Sequence, residues 1–133
     1  MPWQIGDTAS FTKTLSESDI YLFAGITGDM NPVHVDAVAA ADSVFEGRIA
    51  HGMLVASFIC TVLGLKLPGP GTIHVSQSID FLAPVRAGDT LTAQVEVVAL
   101  QTDGKRRMTL RTTVRNQHGS AVVDGTAVVK PPK

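Results

Sequence analysis

The sequence predicts an α+β fold in a single domain, an antiparallel sheet wrapped around one long apolar helix. Three observations carry this expectation. The run from Ile49 to Leu65 is apolar or small on almost every face, a pattern that suits a helix surrounded by protein. From Thr72 onward the apolar residues recur every second position, the period of a strand with one buried face. The chain has 133 residues, enough for one core and too few for two.

The elements follow in order. A short strand is expected around Thr8 to Thr14. Ser16-Glu17-Ser18-Asp19 then reads as a helix start, with Ser16 as cap and acidic side chains in the first turn. The helix should run to about Gly25 and bury Ile20, Phe23 and Ala24, which lie at i, i+3, i+4 spacing. A loop from Thr27 to Pro32 interrupts it, because Gly28 permits unusual backbone angles and Pro32 drives Asn31 out of the helical region. A brief helix at Ala37 to Ala41 precedes the long apolar one.

Four antiparallel strands are read beyond it from the alternating sets Ile73 to Phe81, Leu91 to Ala99, Met108 to Val114 and Ala121 to Val129. The turn signals Ala83-Pro84 with Ala87-Gly88-Asp89, Asp103-Gly104 and His118-Gly119 suit hairpins at each boundary. Pro131 ends the last strand.

Composition excludes several classes of function. With 11 basic and 12 acidic residues the formal charge is -1, so no long-range field would gather nucleic acid or an anionic membrane. Cys60 is the single cysteine and has no internal partner for a disulfide, and Met1-Pro2-Trp3-Gln4 has neither a basic start nor an apolar core. A cytoplasmic protein is the expectation. The apolar run Ile49 to Leu65 is interrupted by polar and glycine residues and is shorter than the roughly 20 residues of a spanning helix.

Chemistry concentrates in Gly28-Asp29-Met30-Asn31-Pro32-Val33-His34. A carboxylate and an imidazole within reach of one water can divide proton transfer between them, and an amide can orient that water. Taken singly, Asp29 and Asn31 are ordinary turn residues. Grouped with His34 in a proline-stiffened segment, and followed by a helix opening with Ile49-Ala50-His51-Gly52-Met53, they form a candidate catalytic constellation. No metal-ligand spacing and no glycine-rich phosphate loop is present in the sequence.

These segments resemble the MaoC-like, (R)-specific enoyl-CoA hydratases of the hot-dog fold. Asp29, Asn31, Pro32 and His34 match the family's Asp-x-Asn-Pro-x-His motif, Ile49 to Met53 match the start of its central helix, and Gln77 to Val85 with Gly88-Asp89 match its first long strand and following turn. The resemblance implies that Asp29 and His34 are the catalytic pair, acting on a water that adds to a trans-2-enoyl thioester. It implies further that a backbone N–H near the helix start, that of Gly52, binds the thioester oxygen. Physics favours the same place, since a helix N-terminus offers unpaired N–H groups where enolate charge develops. Asn31, Gly52, Met53 and Cys60 are the expected substrate-binding residues, with Met53, Val55, Ala56, Ile59 and Cys60 as the floor of an acyl pocket for four to six carbons. No metal and no cofactor is expected.

At Cys60 better known short-chain relatives carry serine, so any hydrogen bond made there would be weaker. Cys60 is read as a structural thiol rather than a nucleophile. His51 is expected to shape the helix start, His74 and His118 to be surface or structural residues, and Lys105-Arg106-Arg107 to be a solvated turn that could also meet coenzyme A phosphates. The resemblance implies a homodimer or a dimer of dimers, with the thioester tunnel at the seam between paired sheets, and an acyl-CoA as the small-molecule partner. The competing activities are a dehydratase of acyl carrier protein thioesters, a thioesterase on the same scaffold, and a silent acyl-thioester binding protein.

Overall fold

Local chemistry starts and stops the first elements in the computed structural model, which describes residues 2–133. Thr8–Thr14 forms strand β1, and its half-buried Phe11 meets Phe58 edge to face with ring centroids 6.0 Å apart. Helix α1, Glu17–Thr27, begins at a complete capping box: Ser16 Oγ accepts the Asp19 N–H, and the Asp19 carboxylate accepts the Ser16 N–H. It runs past Gly25 and ends at Gly28, whose φ of 79° closes the last turn as glycine readily does. Two short helices follow, α2 at Pro32–Val35 and α3 at Ala37–Ala41. The expected loop therefore stops at Asn31, and His34 lies inside a helical turn.

Helix α4, Gly52–Leu65, packs Val55, Phe58, Ile59 and Val62 against the sheet. Each such side chain contributes about 1.5–3 kcal/mol through removal from water. The strands are β2 (Ile73–Phe81), β3 (Thr90–Gln101), β4 (Arg107–Arg115) and β5 (Ala121–Lys130). The order in the sheet is β1-β3-β4-β5-β2, and every pairing is antiparallel. The inward faces of β3, β4 and β5 supply Leu91, Val95, Met108, Leu110, Val123 and Val129 to one core with α4. This is the hot-dog arrangement that the resemblance implied.

Three expectations are corrected. The β3–β4 and β4–β5 links are hairpins, but β2 and β3 do not pair: β2 lies beside β5 at the far edge. Residues 82–89 instead cross the end of the sheet, held where the Ala50 N–H donates to Val85 O at 2.7 Å and the Gly88 N–H to Leu15 O at 2.7 Å. Proline and glycine announced a change of direction without naming the next neighbour. Second, α4 is not enclosed on all sides, since Met53 is 55% exposed and Cys60 and Leu65 are also exposed. The sheet is one layer and covers one side of the helix. Third, β2 is largely exposed, and a register shift between Val97 and Ala99 changes the phase of β3, so Val98 and Ala99 face solvent and Leu100 turns inward.

Candidate active site

The segment between α1 and α4 is built from side chains that bind the backbone two residues on. The Asp29 N–H donates to Thr27 Oγ1 at 3.1 Å, the Asn31 N–H to Asp29 Oδ1 at 3.2 Å, and the Val33 N–H to Asn31 Oδ1 at 3.2 Å. Asn31 thereby caps α2, and Pro32 occupies its first turn, where a missing N–H costs nothing. Asp29 stands exposed on this stair, and one turn later His34 is buried, only 8% exposed.

His34 is tied to the strand of chain that leads into α4. Its Nδ1 lies 2.8 Å from Ile49 O, and the Ile49 N–H donates back to Val33 O at 3.1 Å. A carbonyl only accepts, so Nδ1 donates, which in the neutral imidazole leaves Nε2 as the acceptor. His51 stacks on this ring with centroids 3.8 Å apart and planes 26° apart. One side-chain oxygen of Asp29 and one ring nitrogen each of His34 and His51 lie within 4.8 Å of one another.

That group is a possible metal set which residue spacing does not reveal, but its rings fit an ion poorly. The His34 and His51 rings are stacked with their planes 26° apart, and the His51 Nε2 is already engaged by the Asp29 main-chain oxygen, whereas zinc needs ring nitrogens converging on it at about 2.0–2.1 Å. The arrangement suits proton transfer better: a carboxylate with one oxygen free of the Asx turn, beside an imidazole of fixed tautomer.

Both groups face a cavity of about 530 Å³. Its remaining wall is apolar and rich in rings: Phe23, Phe45, Phe81, Leu82, Pro84 and Val122. The N-terminus of α4 enters the same space. The Leu54 and Val55 N–H groups bond back to His51 O, so the N–H groups of Gly52 and Met53 stand ahead of the first intrahelical bonds. A Cβ on Gly52 would lie 2.7 Å from Phe81 Cε1, so glycine is what lets that ring close on the helix start.

Of the expected site residues, the fold gathers Asp29, His34, Gly52 and Met53 at the cavity, together with Val55. Asn31 and Cys60 are not among its lining residues: the Asn31 amide oxygen is engaged in capping, and Cys60 lies on the exposed face of α4. Ala56 and Ile59 are buried against the core instead of forming a floor. The aromatic wall was missed because it comes from α1, the loop before Gly47, and the end of β2. Lys105, Arg106 and Arg107 flank the β3–β4 hairpin, at the opposite end of the sheet from Phe81 and Val123. His74 is exposed and bonds Gln77 Oε1 at 2.9 Å, and His118 is exposed in a turn.

Perturbed charges lie along α1, outside the cavity. A hydrogen bond from Arg48, then one from Tyr21, holds the Glu17 carboxyl below the usual carboxylate range. Hydrogen bonding from Lys13 and from the Ser16 backbone lowers that of Asp19.

Residues 4–120 match the model of the MaoC like domain. The chain belongs to the MaoC-like family. An (R)-specific enoyl-CoA hydratase of Rhodospirillum rubrum is 54% identical over 127 residues, covering 96% of this chain and 87% of that protein. A 3-hydroxybutyryl-CoA dehydratase of Methylorubrum extorquens is 44% identical, covering 98% and 82%. Among solved MaoC-like structures, the (R)-hydratase from A. caviae involved in PHA biosynthesis superposes with a TM-score of 0.93 at 42% identity, covering 98% of each chain.

Proposed function

We infer that this MaoC-like chain is a hydro-lyase, an (R)-specific enoyl-CoA hydratase that reversibly adds water to trans-2-enoyl-CoA and gives (R)-3-hydroxyacyl-CoA. The observation that carries this reading is the placing of the Asp29 carboxylate and the His34 ring beside the free N-terminus of α4 in one apolar cavity. The relatives that share nearly the whole chain are named for this reaction and its reverse.

Asp29 and His34 hold one water between them, and His34 Nε2 accepts a proton from it as its oxygen bonds to the β-carbon. The electron pair of the double bond moves toward the carbonyl, and the thioester oxygen collects charge against the Gly52 N–H at the positive end of the helix. A proton returned to the α-carbon completes the addition, so the elements of water enter and nothing leaves. The Phe23, Phe45 and Phe81 wall excludes bulk water from the developing enolate.

The test is loss of the conjugated thioester absorbance of crotonyl-CoA, with the product resolved on a chiral phase. Release of free coenzyme A without hydration would indicate a thioesterase instead. Acyl chains of four to six carbons are the proposed substrates. Each methylene accommodated adds about 0.8 kcal/mol of burial and each excluded one clashes, so kcat/KM should fall sharply at one length. A trend rising through twelve carbons would contradict this.

A homodimer in the cytoplasm is the proposed form of the enzyme. β2 pairs on one side only and exposes Ile73, Val75 and Phe81, followed by exposed Leu82, while α4 presents Met53 and Leu65. Apolar edges of this kind are usually covered. Light scattering at micromolar concentration should give twice the chain mass, and a monomer would refute the pairing. A part in PHA biosynthesis, in which the A. caviae (R)-hydratase is involved, is the proposed role.

A further inference from the structure

His51 has a place in the site that its position in sequence does not suggest. It is 3% exposed, and Nε2 lies 3.0 Å from the main-chain oxygen of Asp29. The carbonyl accepts, so the proton sits on Nε2 and Nδ1 of the neutral ring is left as an acceptor. Among the described residues, Nδ1 of His51 is the buried side-chain polar atom without a hydrogen-bond partner. An apolar ring would fill the same space without burying that nitrogen, so packing alone does not account for an imidazole here.

The three contacts of the ring join parts of the site that are distant in sequence. Nε2–H reaches 22 residues back to Asp29. One face lies on the His34 ring at 3.8 Å, and Phe23 of α1 meets His51 with centroids 5.0 Å apart. The His51 carbonyl accepts the Leu54 and Val55 N–H groups and so forms the cap of α4, next to Gly52. The other hydrogen bonds of the Asp29 turn are local, to Thr27 at the end of α1 and among residues 28–31. Among the described residues, the His51 bond is the one that ties that turn to the helix start.

We propose that His51 is a positioning residue for the hydration: its Nε2–H fixes the Asp29 main chain relative to the His34 ring and the Gly52 N–H. The proposal rests on the hydratase reading for its kinetic consequence, but the restraint itself is a property of the fold. Without it Asp29 stays on its local turn and drifts relative to the water it shares with His34. A displacement of about 1 Å can lower turnover roughly 10² fold. Substrate binding, made mainly by the apolar wall and the Gly52 N–H, changes little.

The test compares three full-length variants with wild type. His51→Phe keeps a flat ring between Phe23 and His34 and lacks the donor, His51→Gln places an N–H donor where Nε2 stands, and His51→Ala removes both. With crotonyl-CoA, the Phe variant should lose kcat by roughly 10 to 100-fold, with KM within about threefold and Tm not lowered, and the Gln variant should recover most of the loss. Wild-type kcat in the Phe variant, or kcat falling in step with Tm in all three with no recovery by Gln, would overturn the assignment. Amide hydrogen exchange at residues 29–31 gives an arm that needs no turnover: it should quicken in the Phe variant and not in the Gln variant, and unchanged exchange would overturn it. Absence of turnover in the wild type would count against the hydratase reading alone, leaving exchange to decide the role of His51.

Discussion

Asp29 and His34 stand five residues apart and are held in opposite ways. Asp29 rides on an exposed turn whose local bonds are to its own neighbours, whereas His34 is buried with its ring anchored to Ile49 O. The difference separates chemistry from stability. Both residues should matter to turnover, and only His34 should also matter to the fold.

The largest expected effect treats the two alike. Asp29→Asn and His34→Gln should each lower kcat for crotonyl-CoA by about 10² to 10⁴ fold, the usual contribution of a general acid or base. The double variant should lose far less than the product of the two, because the pair acts on one water. Near-normal rates in either single variant would remove that residue from the mechanism.

Stability should then part them. His34→Ala strands Ile49 O in the interior and should cost about 1–3 kcal/mol in denaturant unfolding, whereas Asp29→Ala should stay within about 0.5 kcal/mol of wild type. Equal losses would mean that the Asp29 turn is as much part of the core as the His34 ring.

A smaller effect tests the hinge on which the turn hangs. Gly28 has φ 79° with open space around it, so Gly28→Ala meets backbone strain without a clash. It should cost about 1–2 kcal/mol and lower kcat more than it alters KM. A variant as stable as wild type would show that the turn can be entered another way.

The smallest effect lies at the far end of α1 and serves as a control. Asp19 is held below the usual carboxylate range by Lys13 and the Ser16 backbone, so its contribution is present above about pH 4 and is lost as pH falls through the lowered value. Asp19→Asn should cost at most about 1 kcal/mol at pH 7, with the gap to wild type closing in acid and kcat unchanged. A gap that persists at pH 2 would assign the loss to packing instead of charge.

Much of this was legible because it is local. The alternation of Met108, Leu110, Thr112 and Val114, the cap at Ser16 and the stop at Gly28 each depend on residues within a few positions. Asp29 and His34 were legible because their types and spacing carry the chemistry. Partnerships across long separations were not: the residues that end β2 do not say that β5 is its neighbour, and nothing within α4 says which side the sheet covers, so Cys60 was assigned to an interior it does not enter. For His51 the role at the helix start was legible and its hold on the loop was not, because the Asp29 carbonyl it binds is 22 residues away. The β3 bulge slipped a phase that a strict period of two had assumed.

Phe81, the last residue of the edge strand β2, and Leu82, just beyond it, have a double position, exposed at the open side of the sheet and in the wall beside Asp29 and His34. A second chain pairing along that edge would add its own atoms to the reaction chamber, and losing that chain would let water in. Turnover per chain would then depend on how much protein is in the tube. A stock diluted to nanomolar levels would fade while its secondary structure stayed intact, and the rate would return with added protein, a behaviour easily mistaken for adsorption or decay.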